Sequence, residues 1–280
     1  MAGGRDPTGP DLTVVVCTLG EADVARTVES ITASARSARA SVQIVVVWQA
    51  DGEPPPAGGA EVLRLSERGL SHARNEGLAA AGGPLVAFVD DDEVVDEHWV
   101  AEAVSSFDGD PMLDAAFGPV LTFGGGKPPY FSSGKEPLLF QGRHRPPWAV
   151  GTGGNMVFRR EALLRVGGFD TRYGAGARVG AAEETDLVLR LLAAGRRLLY
   201  APKLAVYHPA RTAGDELAAR RGYAFGMGVA LRRSPVLCAK YLFTIGQELA
   251  RSLRRRDAWR RRKTLATLRG FLAGLGSRAG

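Results

Sequence analysis

The sequence predicts an α/β fold with a parallel sheet wound by right-handed crossovers, followed by a basic helical extension. Three observations carry this. Short apolar runs rich in Val and Ile alternate with helical patterns through the first 210 residues. The runs are apolar on consecutive rather than alternate positions, as in strands covered on both faces. From Arg211 onward the strand pattern stops and the charge balance inverts.

The charge split is large. Residues 211–280 hold 16 Lys or Arg against 4 acidic residues, although the whole chain is only +6. Residues 1–210 are therefore acidic, with 26 acidic against 20 basic groups. A basic tail of this kind suits an anionic surface. Cys17 and Cys238 are the only cysteines, which suggests neither a disulfide framework nor a zinc site and fits a reducing, cytoplasmic setting. Met1–Pro10 is Gly- and Pro-rich and reads as a disordered N-terminus. No run of 18 apolar residues predicts a membrane span.

The elements follow in order. Leu12–Cys17 is a strand leading into Thr18-Leu19-Gly20, then a helix over about Ala22–Ala38. Val42–Val47 is a second strand, ending in Trp48-Gln49-Ala50-Asp51 before the Pro/Gly loop Glu53–Ala60. Glu61–Leu65 is a weak third strand, and Leu70–Ala80 a helix in which Ala73, Gly77 and Ala80 offer a small-residue face. Leu85–Val89 is a buried strand that runs into Asp90-Asp91-Asp92. At 5–6 Å and an effective dielectric of ~20, each close pair of such carboxylates costs roughly 3 kcal/mol. A cation at the strand's carboxyl end, where α/β sheets bind ligands, offsets that repulsion. Alternatively the acids only cap the next helix, Asp96–Phe107.

Beyond Phe107, Ala115–Phe123 reads as a strand. Gly124–Val150 is a long loop whose Tyr130, Phe131, Phe140 and Trp148 either stack on a sugar or acceptor or pack the loop down. Gly153-Gly154 opens the strand to Phe158, a short helix covers Arg160–Val166, and Tyr173–Gly180 reads as a mobile Gly-rich segment. A second acidic cluster, Glu183-Glu184-Thr185-Asp186, opens an amphipathic helix closed by Gly195. Leu204–Tyr207 is a strand ending in His208. In the tail, Pro235 starts a helix whose Cys238, Leu242, Ile245, Leu249 and Leu253 recur at helical spacing, and a second apolar set runs from Leu265 to Leu275. These helices dock on the acidic body, lie on an anionic membrane surface through residues 235–275, or form a homo-oligomer interface. A nucleic-acid partner is not expected, because no recognition module is present. Neither G-x-G-x-x-G nor a P-loop occurs after the first strand, so phosphate binding falls to a divalent metal held by Asp.

Six blocks stand in an order that resembles the family 2 inverting glycosyltransferases of the nucleotide-diphospho-sugar transferase superfamily. They are Val14–Thr18, Gly69-Leu70-Ser71-His72-Ala73-Arg74-Asn75-Glu76-Gly77, Phe88–Asp92, Gly154–Arg160, Glu183–Leu187 and Val206–His208. The resemblance covers residues 12–210 and implies the GT-A fold, a Rossmann-like mixed, mostly parallel sheet flanked by helices, with a catalytic domain over residues 11–211 and a helical region over 212–280. It implies Mg²⁺ or Mn²⁺ on Asp92 with Asp90 or Asp91, and on His208. Thr18, Leu19, Gly20, Gln49, Asp51, Ser71, Arg74, Asp90, Asp91, Gly154 and Asn155 would line the nucleotide site. Glu184 would be the general base, with Asp186 or Glu183 as alternatives. The implied donor is a UDP-sugar, or a dTDP- or GDP-sugar, and the acceptor is unspecified.

The chemistry asks for the same residue types. A metal neutralises the departing diphosphate, and a carboxylate across the sugar takes the acceptor's proton. The sequence also departs from the family. Trp48 stands where an acid is usual, so either Asp51 substitutes or Trp48 stacks on the base. Cys17, Leu19 and Gly20 replace the usual Pro, Tyr and Asn. The Trp48, Cys17 and Gly20 departures motivate a second reading, a nucleotide-sugar-binding scaffold without transfer; a third, a nucleotidyltransferase of related sheet architecture, would also use carboxylates and Mg²⁺.

Overall fold

In the computed structural model, residues 9–54, 58–123, 130–210 and 213–278 are described. Their elements run β1 (Leu12–Thr18), α1 (Val24–Ala38), β2 (Val42–Trp48), β3 (Glu61–Arg64), α2 (Leu70–Ala80), β4 (Leu85–Asp90), β5 (Val94–Val95) and α3 (Trp99–Asp108). There follow β6 (Leu113–Phe117), β7 (Val120–Thr122), β8 (Leu138–Phe140), a single 3₁₀ turn at Pro147–Ala149, β9 (Asn155–Arg159), α4 (Arg160–Arg165), α5 (Glu183–Ala193), β10 (Arg197–Tyr200) and β11 (Val206–His208). Three helices close the chain: α6 (Ala213–Leu231), α7 (Pro235–Arg254) and α8 (Ala258–Leu275).

The main sheet has eight strands in the order β3-β2-β1-β4-β9-β6-β10-β8. Strands β3, β2, β1 and β4 are parallel, and the apolar runs of β1, β2 and β4 are covered on both faces. The sheet is mixed because β9 runs antiparallel between β4 and β6, and β8 antiparallel beside β10. Alternate residues serve opposite layers. Leu12, Val14 and Val16 of β1 join α1 and α3 in one core, while Val15 joins Ala73 of α2 and Leu187 of α5 in the other. On the α2 side Gly77 lies so close to Val15 that a methyl group there would overlap it. A second sheet, β5-β11-β7, carries His208 at the end of its central strand β11, paired with Thr122 of β7.

Two helix starts differ from the sequence reading. α1 begins at Val24 because the Asp23 carboxylate accepts the Arg26 amide. α3 begins at Trp99 because Asp96 is used in a turn, its carboxylate accepting the His98 amide. The loop expected over Gly124–Val150 contains β8 and the 3₁₀ turn; residues 124–129, like the expected disorder of residues 1–8, lie outside the described residues. The loop's aromatics pack it down. Tyr130 lies on His208 (4.6 Å between centroids), Phe131 against Tyr200 (6.1 Å) and Trp148 on Tyr241 (4.8 Å).

The expected mobility of Tyr173–Gly180 is also corrected. Tyr173 and Val179 are buried, the Leu70 amide donates to the Ala175 carbonyl, and Ser71 Oγ donates to the Tyr173 carbonyl (2.7 Å). The segment is a fixed cover over the start of α2.

Helices α6 and α8 cross at Gly228, Gly270 and Gly274, each too close to the facing backbone to carry a side chain. Both α6 and α7 pack on the body. Val229 and Phe225 of α6 pack with Tyr173, Val179 and Ala182, and Tyr241 of α7 takes Trp148. No helix among the described residues is long and apolar enough to cross a membrane.

Candidate active site

The carboxyl end of β4 delivers Asp90 directly into a tight acidic turn. Thr27 of α1 pins that turn, its hydroxyl donating to the carbonyls of Asp91 (2.9 Å) and Glu93 (2.7 Å). Glu93, a fourth consecutive acid, is buried behind the triplet. Burial pushes its carboxyl well above the usual range, and the charges of Asp90 and Asp92 add to that. Burial also raises Asp90, opposed by Arg74, and raises Asp91 to about 6 although the Thr18 hydroxyl pulls the other way.

Arg74 joins this turn to the second acidic cluster. It is 2% exposed. Its Nη1 donates to Glu183 Oε1 (2.7 Å), and its Nη2 to Asp90 Oδ1 (3.1 Å) and the Gly153 carbonyl (2.9 Å). Burial alone would weaken the guanidinium's charge; the Glu183 and Asp90 carboxylates more than restore it. The two clusters, 93 residues apart at Asp90 and Glu183, thus meet on one side chain. Gly153 and Gly154 have the same cause. A Cβ at 153 would lie 3.0 Å from Glu183 Oε1, and one at 154 would lie 2.6 Å from Glu93 Oε1 and 2.8 Å from Asp90 Oδ2. The glycines make room for the protein's own carboxylates.

Of the three carboxylates at the start of α5, two are committed. Glu183 belongs to Arg74, and Asp186 is paired with Arg190 (2.8 Å) one turn on. Glu184 is half-buried and receives a bond from Thr185 Oγ1 (3.2 Å). Burial, reinforced by the adjacent Glu183, raises its carboxyl to about 7, the range suited to a proton acceptor. Ala182, two residues before Glu184, holds a left-handed backbone (φ 70°).

On the opposite side His208 Nε2 lies 3.1 Å from Asp92 Oδ2, with Nδ1 2.6 Å from the Pro209 carbonyl. Among the described residues no group of three His, Cys, Asp or Glu is assembled as a ready metal site. Asp90 gives one oxygen to Arg74 and turns the other toward Gly154, which leaves Asp92 and His208 as the close pair. Two protein ligands with substrate phosphates completing the shell fit the chemistry of Mg²⁺ and Mn²⁺.

Several residues expected at the nucleotide face inward instead. Asn155 is fully buried; it accepts from Trp99 Nε1 (3.0 Å) and donates to the Pro119 (3.1 Å) and Leu204 (2.6 Å) carbonyls. It braces the strand ends beneath the site. Ser71 and Gln49 are likewise spent on backbone, Gln49 Nε2 donating to the Glu67 carbonyl (2.7 Å). Leu19 is exposed, and exposed Asp51 lies 3.5 Å from Arg68. Thr18 Oγ1 accepts the Gly20 amide (3.0 Å).

Trp48 is only 7% exposed and offers no stacking face. Its ring covers Gly20, where φ is +79° and a Cβ would lie 3.0 Å from Trp48 Cη2 and 2.9 Å from Ala50 Cβ. Trp48 therefore leaves room for glycine alone at position 20. Thr27, Glu93 and the Gly153 carbonyl were not singled out from sequence; only Glu93 left a signal, as the acid that extends the triplet.

The sequence model of glycosyl transferase family 2 matches residues 13–167. Among curated relatives, a glucosyl-dolichyl phosphate glucuronosyltransferase of Haloferax volcanii is 29% identical over 150 residues, covering 50% of this chain and 48% of its own. A pre-mycofactocin glycosyltransferase of Mycobacterium tuberculosis is 29% identical over 249 residues, covering 82% of this chain and 50% of its own. The chain thus spans about half the length of these curated relatives. Among solved structures, a mannosyltransferase from Pyrobaculum calidifontis in complex with GDP-Man and Mn²⁺ superposes with a TM-score of 0.64 at 19% identity, over 98% of this chain and 90% of that one. That likeness establishes the GT-A fold.

Proposed function

The chain belongs to glycosyl transferase family 2, and from that premise we propose that it moves a sugar from a nucleoside-diphosphate sugar to an acceptor hydroxyl, with inversion at the anomeric carbon. The observation that carries the reading is the Arg74 guanidinium, which bonds both Asp90 and Glu183; it supports a site shared by their sequence neighbours Asp92 and Glu184.

Glu184 takes the acceptor's proton as its oxygen attacks C1 and the bond to the diphosphate breaks. One carboxylate working without a covalent partner gives a single displacement, hence inversion. Asp92 and His208 would hold Mg²⁺ or Mn²⁺, which when bound neutralises charge on the leaving diphosphate. A solved protein of this fold carries GDP-Man and Mn²⁺, which supports the donor class; UDP-sugars are the first to test here. Thr18, Gly20 and Asp91 shape the floor on which the nucleotide lies.

The test is release of nucleoside diphosphate from UDP-, GDP- and dTDP-sugars with Mn²⁺ and a panel of hydroxyl acceptors. Glu184→Gln should retain nucleotide binding by calorimetry and lose turnover by at least a thousandfold. Asp92→Ala should lose the Mn²⁺-dependent part of the binding. Unaltered turnover in Glu184→Gln removes that residue from the role. Tight binding with no turnover of any pair would make the protein a binding module.

A further inference from the structure

Helix α7 is apolar on two opposite faces. One face, with Leu237, Tyr241 and Ile245, packs on α8 and on Trp148. The other faces outward and bears Val236, Leu242, Phe243 and Leu253 at helical spacing, with Ala239, Gly246 and Ala250 between them. Phe243 is 67% exposed, Leu253 53% and Val236 46%. A surface helix normally hides its one apolar stripe, so this second stripe has no role in the fold.

Basic groups rim the stripe. Exposed Arg254, Arg255 and Arg256 stand at one end, and Lys240 and Arg251 run along one side. Lys240 also reaches the neighbouring loop, donating to the His144 carbonyl (2.8 Å). There Arg143, His144 and Arg145 join it around an open cavity of about 380 Å³. Across residues 232–263 eleven Lys or Arg face two acids. An exposed aromatic–aliphatic ridge beside a cationic cavity combines the two terms of interfacial binding: apolar insertion and attraction to anionic headgroups. A second copy of the chain is a poor occupant, because a twofold contact through this face would set the same arginines against one another.

We propose that the outward face of α7, with the Arg143–Arg145 loop beside it, is a docking surface for a bilayer containing anionic phospholipid. Phe243 and Leu253 enter the interface, and Lys240, Arg143 and Arg145 lie among the headgroup phosphates. The loop runs on through the turn at Pro147–Ala149 to Gly153, whose carbonyl holds Arg74, so the surface is continuous with the frame of the candidate site. The proposal does not depend on the transfer reaction, and its test reads no activity.

The experiment is sedimentation of the full chain with vesicles of phosphatidylcholine alone or mixed in equal parts with phosphatidylglycerol. The chain should partition onto the anionic vesicles, and high salt should weaken this. Phe243→Glu should lower the partition at least tenfold with an unchanged melting temperature. Arg254→Gln should lower it about fivefold, the worth of one basic group near such a surface. A chain that stays in solution with both vesicles, or that binds phosphatidylcholine equally well, overturns the proposal. So does a dimer in light scattering that Phe243→Glu converts to monomer while vesicle binding is nil, which would give the face to a second copy.

Discussion

Arg74 offers the sharpest test of how the two acidic clusters are held together. Arg74→Met removes a buried cation and strands Glu183, whose side chain is 8% exposed. Leaving one partner of such a pair uncompensated costs about 3–5 kcal/mol. The contact with Asp90 adds less, because that side chain is 42% exposed and screened; about 0–1 kcal/mol is the scale for such a pair. The Gly153 carbonyl loses a donor, worth roughly 1 kcal/mol. The sum is about 4–7 kcal/mol, a large share of the ~5–15 kcal/mol that holds a protein folded.

Glu183→Gln is milder, because the amide oxygen still accepts from Arg74 and Asp90 still balances the guanidinium. About 2 kcal/mol is expected. In the double variant no buried carboxylate is left stranded, so its cost should fall short of the sum of the singles by about 2 kcal/mol. Urea unfolding of the four proteins measures this, and Arg74→Lys supplies an intermediate should Arg74→Met not fold. Additivity within about 0.5 kcal/mol would refute the reasoning, since it would mean that the two side chains do not share one buried interaction.

Three further expectations follow from the same geometry. With Glu184 raised to about 7, kcat/KM should fall about tenfold per pH unit below neutrality as the base is protonated; a flat profile from pH 5 to 8 would count against it. Because Asp91, Glu93 and Glu184 all titrate above their unfolded values, the folded state binds more protons than the unfolded one between about pH 4 and pH 7. Stability in EDTA should then decline as pH rises through that window, and Mn²⁺ should raise the melting temperature more at pH 8 than at pH 5; the opposite slope in thermal melts would contradict it. Gly20→Ala should cost about 1–3 kcal/mol from its positive φ and the contact with Trp48, and Trp48→Val should recover only the packing part; full recovery would show that backbone strain is absent.

The sequence was legible where a physical pattern is local. Consecutive apolar runs give β1, β2 and β4, and the six blocks in order give the fold and the two acidic clusters. Strand direction was not legible. Nothing in Asn155–Arg159 says that it runs against its neighbours, because an apolar strand between two others looks alike either way. Two-residue β5 carries no periodicity at all. The largest loss was in the sense of polar side chains. Asn155, Ser71 and Gln49 are the residue types that bind a nucleotide and equally the types that satisfy buried backbone. Only tertiary placement shows that all three were used for the second purpose. Glycine was ambiguous in the same way, since Gly153 and Gly154 admit the protein's own carboxylates rather than a ligand.

The same placement changes what the basic C-terminal helices are for. Glu184 sits two residues after Ala182, which is held in a left-handed conformation that an alanine adopts only at a cost. Helix α6 packs on this corner. Gly226 of α6 lies so close that a Cβ there would be 2.8 Å from both the Ala181 carbonyl and Ala182 Cβ, and Val229 packs on the same corner. Arg74 therefore holds the first turn of α5 from inside the body, and α6 presses its preceding corner from outside. α7, packed on α8 and on Trp148, carries the exposed ridge and the cationic loop that leads back to Gly153. The tail thus packs on the corner that leads into α5, and shortening that contact by Val229→Ala should lower the melting temperature.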